Sequence, residues 1–204
     1  MIENLLERIR NHEGEFLCEA IGAEENTKLV KFSHSVDPPS PSVQVPDVGD
    51  LNEFYSAIGS LTLYSVPTNY EAAYYIAPPS EWENLESDFS DWTDMVDEDE
   101  EEEVFPTWFG SHNVIGEIPG TGNYILVVTD GAEQGAIYSF DHDGFEFKKL
   151  GSSIEEFVLN ALDPDSNQFL DLVTHMRFIS NDNDQQWWAR ELRHNSGKVV
   201  RNDA

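Results

Sequence analysis

Hydrophobic residues recur at the three- and four-residue spacing of an amphipathic helix in several parts of the chain. The stretches with this spacing are 2–10, 51–58, 82–96, 154–162 and "NQFLDLVTHMRFI". Asp50 with Glu53, and Ser152 with Glu155, have the spacing of capping boxes at the starts of two of these helices. On the third predicted helix, Trp82 and Trp92 belong to the apolar face and are expected to be buried. The pattern predicts helices packed on a core.

Strand patterns dominate the second half of the chain. "NYILVVT" is apolar enough for a central strand, and "GAIYSF" and "FEFKK" follow it. The intervening "DGAEQG" and "DHDG" have the residues of tight turns, so the three strands form an antiparallel meander. Earlier, "YYI" predicts a strand that stops at Pro78. The order predicts an α+β fold: a single domain with a mostly antiparallel sheet flanked by helices.

Four prolines between His34 and Asp50 divide the chain. Regular structure is not expected there, so residues 37–49 are predicted to be a linker or a long exposed loop. The preceding residues 1–36, which include Cys18, are predicted to be a helical segment packed on the domain. The domain itself is expected to span 50–194, and 195–204 is expected to be a polar tail.

Charge narrows the classes of partner. The 204 residues contain 11 Lys and Arg and 40 Asp and Glu, for a net charge of −29. Lys and Arg are absent between Lys31 and Lys148, where 24 acids occur. Such a field repels phosphate backbones, which excludes nucleic acid as a partner, and it attracts basic proteins. The alternative is that the acidity serves only solubility.

The compartment is predicted from three absences in the sequence. Cys18 is the only cysteine, so an intrachain disulfide is impossible and a reducing environment is favoured. The charged start "MIENLLERIRNHEGEF" lacks the apolar core of a signal peptide. Because no apolar run approaches about 20 residues, a membrane span is not expected. The sequence predicts a cytoplasmic protein and leaves open whether it is a monomer or a dimer.

The stretch "DHDG" carries the side chains most easily assigned to chemistry. Asp141, His142 and Asp143 have the groups of a cation site or an acid–base pair, but an EF-hand would also need ligands at Phe145 and Ser152. A hairpin turn is the simplest interpretation, with metal or catalytic use and a recognition loop as alternatives. We find no nucleophile motif and no phosphate loop. The sequence therefore predicts no enzyme, no cofactor and no metal.

Two further features are candidates for partner binding. The first is the acidic run, which is either a contact or steering element for a basic partner or a solvated loop: Asp97, Glu98, Asp99, Glu100, Glu101, Glu102 and Glu103. The second is the adjacent pair Trp187 and Trp188. Neighbouring side chains point in different directions, so one of the two is expected to be at least partly exposed, where Trp favours interfaces. The "DHDG" residues complete the predicted binding set.

An ordered set of motifs resembles the SUKH superfamily, specifically its Smi/Knr-like branch. The motifs run from Leu51 to Leu162: "LNEFYSAIGSL", "YYIAPPSEW", "IGEIPGTGNYILVV", "GAIYSFDHDGFEF" and "SSIEEFVLNAL". "THMRFI" and "QWWARELR" are similar to the tail of bacterial members. The resemblance implies an immunity protein that binds and neutralises a toxin domain, often a nuclease, and a family without one shared catalytic site. The alternative that it implies is a regulatory or scaffold module of the same fold.

Overall fold

The computed structural model describes residues 2–40, 45–66, 71–97, 101–176, 178–179 and 185–202. Its helices are α1 (Ile2–Asn11), α2 (Leu51–Ala57), α3 (Trp82–Thr93), α4 (Glu101–Val104), α5 (Ile154–Leu162) and α6 (Ser166–Thr174). A single 3-10 turn, Pro79–Glu81, leads into α3. Within these ranges no helix has the length and apolar character needed to cross a bilayer.

The strands form one antiparallel sheet. They are β1 (Gly14–Ala20), β2 (Ala23–Asp37), β3 (Ser60–Ser65), β4 (Tyr74–Ile76), β5 (His112–Ile118), β6 (Asn123–Val128), β7 (Ile137–Asp141), β8 (Glu146–Gly151), β9 (Phe178–Ile179), β10 (Gln186–His194) and β11 (Val199–Arg201). Their order is β11-β10-β1-β2-β3-β4-β5-β6-β7-β8, with β9 paired to β10. This confirms the predicted α+β class, and the meander extends from β1 to β8.

The centre of the sheet is the most apolar part of the fold. All six residues of β6 are buried, as expected of a central strand. Strand β4 lies two places from β6 in the sheet and has packing partners on both faces, which successive side chains of a strand reach in turn. Tyr74 packs edge-on against Phe157 of α5, and Tyr75 points the other way to Glu81, just before α3. Residues 82 and 89 of α3 are buried as predicted, whereas Trp92 is only partly buried.

The N-terminal segment corrects one expectation. Helix α1 ends at Asn11, and residues 14–37 form the hairpin β1–β2 instead of continuing as helix. Cys18 lies on β1, where burial raises the pKa of its thiol to about 12. Phe16, Cys18 and Ala20 are buried and alternate with less buried neighbours, which is the two-residue period of a strand with one buried face. At the other terminus, residues 199–201 belong to the sheet as β11 and are not part of a polar tail.

The proline-rich segment belongs to the connection between two neighbouring strands of the sheet. Asp37 at the end of β2 pairs directly with Ser60 at the start of β3, so 38–59 joins two neighbouring strands and separates no domains. Gly59 lies against this loop. A Cβ at that position would stand 2.1 Å from the Pro38 carbonyl oxygen, which explains why a residue without a side chain occupies it.

Helix capping differs from the sequence prediction at two positions. Asp50 makes no side-chain cap on α2, so the predicted box with Glu53 is absent. Its carboxylate accepts from the backbone N–H groups of Ile154 (3.0 Å) and Glu155 (2.9 Å) and caps α5 instead. Ser153, one residue after the predicted Ser152, is the N-cap of α5 and accepts from Glu156 N–H. These bonds tie α5 to the start of α2.

Candidate functional site

A row of side chains crosses one face of the sheet beside α3. Tyr75 on β4 lies opposite Glu117 on β5, and Glu117 lies opposite Tyr124 on β6. The Tyr75 hydroxyl donates to Glu81 Oε2 at 2.9 Å. Asp88 on α3 acts electrostatically on both Glu117 and Tyr124. Antiparallel pairing and one helix therefore bring three carboxylates together around two tyrosines.

The exposed side of α3 extends this negative surface. Its buried residues Trp82, Leu85 and Phe89 face the sheet. At helical spacing on the opposite side lie the exposed acids Glu83, Asp88, Asp91 and Asp94. We call these four acids, together with Glu81 and Glu117, the acidic face. It carries six carboxylates and no Lys or Arg.

The acidic face is electrostatically unbalanced in the folded chain. Within the described ranges, the ion pairs of the molecule involve none of its six carboxylates. Burial, then the negative charges of Asp88 and Glu81, raise the pKa of Glu117. Burial and the Glu81 carboxylate raise the pKa of Tyr75 in the same direction. A cation brought to this surface would relieve the repulsion among these groups.

A groove lies next to the acidic face, at the end of the sheet where the proline-rich loop begins. Its volume is about 540 Å³, and its apolar walls include Pro38, Pro39, Tyr55, Tyr75 and Pro79. Two carboxylates stand at its edge: Glu81, bonded to Tyr75, and Asp37, which accepts from the Ser60 hydroxyl at 2.6 Å. An aromatic and proline wall with carboxylates at the edge is suited to the stem and charged head of an Arg or Lys side chain.

The acidic run predicted from the sequence lies just beyond α3. Asp97 is exposed after the turn that ends the helix, and Glu103 is exposed on α4. Glu98, Asp99 and Glu100, and the side chains of Glu101 and Glu102, lie outside what the structure describes. The flanking residues are anchored, since Phe105 stacks on Phe109 with ring centroids 3.9 Å apart and Trp108 is buried. The run therefore starts and ends at packed segments close to the acidic face.

The "DHDG" residues form the turn between β7 and β8. Asn123, buried at the start of β6, holds this turn: its Oδ1 accepts from His142 N–H at 3.1 Å and lies 2.7 Å from His142 Nδ1. The His142 ring packs on Trp92 with centroids 4.3 Å apart, and its Nε2 lies 3.3 Å from Asp143 Oδ1. Asp141 lies 3.8 Å from His175 Nε2.

These contacts account for the turn by packing and hydrogen bonding. Among the residues that the structure describes, no group of three His, Cys, Asp or Glu side chains is placed to hold a metal ion. His142 is instead used to fasten the hairpin to α3 and β6. The turn thus lies at the C-terminal end of α3, where His142 contacts Trp92.

Trp187 and Trp188 lie at the start of β10 and point to opposite faces. Trp187 is partly buried, with Lys28 Nζ 4.4 Å from its ring centroid, whereas Trp188 is 48% exposed. Both border a cavity of about 340 Å³ together with Ile21, Thr174 and Met176. One Trp therefore closes the core and the other is available on the surface.

Two of the predicted binding features, the "DHDG" turn and the Trp pair, lie at the same end of the sheet. Because all neighbouring strands are antiparallel, the turns after β1, β5 and β7 lie at the same end as the start of β10. Residues 174–176 connect the two groups, since His175 contacts Asn123 and Asp141 while Thr174 and Met176 border the Trp pair. The groove lies at the opposite end, and α3 spans the distance between the two ends.

The sequence prediction missed Tyr75, Glu81, Asp88 and Glu117. Tyr75 stands next to the buried Tyr74 in a strand, and that alternation predicts that it faces the other side. Glu117 is a lone acid in the otherwise apolar "NVIGEI", which is a signal for an unusual environment. Their convergence depends on strand register, which spacing along the chain does not give.

Compared with known proteins, the chain matches no family model, no curated protein and no solved structure. The resemblance to the SUKH superfamily therefore rests on the ordered motifs alone.

Proposed function

We propose that this chain is an immunity protein that neutralises a basic toxin domain by binding it through the acidic face. A nuclease is the toxin class that fits best, since its active surface must hold phosphate with Lys and Arg. An array of carboxylates placed over that surface would compete with the nucleic acid. The protein acts in this account as a binding partner, without catalysis or cofactor.

The observation that carries the proposal is the unpaired acidic face. Six carboxylates lie on α3, the turn before it and β5, and in the described part of the chain none has a cationic partner. Burial, and after it the negative charges of Asp88 and Glu81, raise the pKa of Glu117, so the charged carboxylate is held in the fold at a cost to stability. Surfaces with such a cost are typical of binding sites.

The groove adds an apolar contact surface to the charge of the acidic face. Charge complementarity speeds encounter and excludes wrong partners, whereas desolvated contacts set the lifetime of a complex. Tyr55, Tyr75 and the neighbouring prolines offer an apolar wall for a partner side chain. Asp97, the first residue of the acidic run, and the "DHDG" turn extend the same negative surface past the C-terminal end of α3. A partner that covers α3 would contact the groove at one end of the helix, and Asp97 and the "DHDG" turn at the other.

Growth protection tests the function directly. A candidate toxin domain, taken from a toxin-like reading frame directly upstream where one is found, would be expressed in a bacterial host with and without this chain. We expect the toxin alone to stop growth and co-expression to restore it. A variant with Glu81→Gln, Asp88→Asn and Glu117→Gln should restore growth less well, while Glu7→Gln, Glu13→Gln and Glu25→Gln, which remove three exposed charges elsewhere, should protect like the parent.

Failure of the parent chain to protect, with both proteins present in soluble form, contradicts the immunity proposal. In that case a regulatory or scaffold module becomes the better account of the fold. Equal protection by both triple variants contradicts the assignment of the acidic face.

A further inference from the structure

Three histidines from distant parts of the chain meet at one point. His12 follows the end of α1, His34 lies on β2 and His194 is the last residue of β10. His12 Nδ1 lies 2.7 Å from His34 Nε2, and His12 Nε2 lies 2.6 Å from His194 Nδ1. We call this arrangement the histidine chain. It joins α1 and the C-terminal strands to the centre of the sheet.

The protons of the histidine chain have a fixed direction. The backbone N–H of Tyr64 donates to His34 Nδ1 at 3.1 Å. His34 Nδ1 must then be the unprotonated nitrogen, and the proton of neutral His34 is on Nε2, where it is donated to His12 Nδ1. The same logic places the His12 proton on Nε2, donated to His194 Nδ1. The last proton is on His194 Nε2, which is buried and has no described partner.

This order leaves no place for an additional proton. Each of the three hydrogen bonds already contains one proton, and the nitrogen at the end of the chain carries another. A fourth imidazole proton, wherever it enters, must put two protons between one pair of nitrogens. Tautomer changes can shift the doubly protonated pair of nitrogens along the chain. The last such pair is His34 Nδ1 and the Tyr64 N–H, and the amide proton cannot move. One hydrogen bond of the chain must break when one proton is taken up.

The surroundings do not compensate such a charge. Arg8 disfavours a positive charge on His12 and Lys198 disfavours one on His194, while Asp163, which favours a charge on both rings, is already paired with Lys198. The cavity beside His12 and His34 is lined by Arg10, Glu13, Glu15, Lys31 and Arg193. Within the described ranges none of these carboxylates forms an ion pair with the three rings. Burial lowers the pKa of His12 to about 4 and that of His34 to about 3, and it lowers that of His194 as well.

The backbone at this point is also strained. Tyr64 has a φ of 56°, in the left-handed region that residues with a Cβ seldom adopt, and its ring is fully buried. Its hydroxyl donates to the Ala161 carbonyl oxygen at 2.7 Å, and its N–H is the donor that orders the chain. Bonds at both ends of Tyr64 hold this conformation. Loss of the His34 bond removes one of the contacts that stabilise it.

We propose that the histidine chain is an acid-sensitive latch, which holds α1 and β10 on the sheet only while all three rings are neutral. Above pH 6.5, the ordinary value for histidine, the rings are neutral in the folded and the unfolded chain, and the latch contributes fully. Below that value the unfolded chain takes up protons that the closed latch excludes, so stability falls as the pH falls. For each unit by which the pH falls below this value, every proton that the closed latch excludes raises the unfolding equilibrium constant by about 10-fold. Exclusion from all three rings raises it by about 10³-fold per pH unit.

The tautomers can be observed in the unmodified protein. With ¹⁵N-labelled histidine, NMR correlation of ring nitrogens with ring protons should show His12, His34 and His194 neutral, with the proton on Nε2, at about pH 7.5 and still at about pH 5.5. A proton on Nδ1 in any of the three, or a charged ring in the folded protein at either pH, overturns the proposal. This reading needs no variant and does not depend on refolding.

His34→Gln is the matched variant, because the glutamine amide can accept from Tyr64 N–H and donate to His12 while taking up no proton. Urea unfolding across pH 7.5 to 5 should show an unfolding constant that changes about 10-fold less per pH unit than in the parent. The parallel change in the many carboxylates is common to both proteins and cancels. The same pH dependence in His34→Gln and the parent contradicts the latch.

Discussion

Replacing Phe89 by Ala is expected to lower the free energy of unfolding by about 3–5 kcal/mol. Phe89 is the residue that fixes α3 to the sheet. It is 1% exposed, and its ring packs against Phe109, His112, Tyr124 and Phe140 at centroid distances of 5.1–6.2 Å. Truncation removes these contacts and leaves a cavity that four ring-bearing neighbours from different elements fill poorly.

Urea unfolding with linear extrapolation measures this loss, and Met95→Ala is the control. Met95 follows the end of α3 and is 67% exposed, so its truncation should change the free energy by less than about 0.5 kcal/mol. A loss below about 1 kcal/mol for Phe89→Ala would mean that α3 is not packed as described, and the position of the acidic face would be wrong with it.

Neutralising the acidic face is expected to slow association with the toxin domain by about 10-fold at low salt. The variant is Glu81→Gln, Asp88→Asn and Glu117→Gln, in which the amide at 81 can still accept from Tyr75. Three charges at the centre of the field attract a basic partner over several ångströms before contact. The Debye length falls from about 8 Å at physiological salt to about 3 Å at 1 M, so the difference from the parent should shrink as salt increases.

Association rates from stopped-flow mixing measure the effect. The control, Glu7→Gln with Glu13→Gln and Glu25→Gln, removes the same total charge from α1 and the β1–β2 hairpin. Its rate should stay within about 2-fold of the parent. Equal slowing in both variants would show that net charge, and not the acidic face, attracts the partner. The face variant should also fold at least as stably as the parent, because Glu117→Gln removes a carboxylate whose pKa is raised by burial and by its acidic neighbours.

The local hydrophobic pattern of the sequence was sufficient to predict the helices and strands that bury one face. Most residues at helical spacing on α1, α3 and α5 are buried as expected, with Trp92 on α3 an exception, and the run "NYILVV" is the fully buried β6. The meander β6–β7–β8 follows from its turn residues. In each case the hydrophobic pattern lies within about fifteen residues, and the burial of apolar side chains that produces the pattern also forms the element.

The features that the sequence did not predict depend on residues far apart along the chain. Asp50 has the spacing of a local cap, yet it caps a helix 104 residues away because the start of α2 lies beside α5. His12 and His194 meet across 182 residues through the pairing of β1 with β10. The acidic face likewise needs the register of β4 and β5. The β1–β2 hairpin was also missed, because "FLC" is a continuous apolar run in the sequence and the alternation of buried residues appears only in the structure.

Hydrogen–deuterium exchange of this chain, with and without the toxin domain that it neutralises in the growth assay, tests the central claim most directly. The claim predicts slower exchange in the complex over 79–93 and 112–118, which carry the acidic face, and around the groove at 52–60. Exchange over 186–201, in β10 and β11, should be unchanged apart from the start of β10 near Trp188. A complex that slows exchange only in β10 and β11, and leaves α3 and β5 as they are in the free protein, would contradict the account.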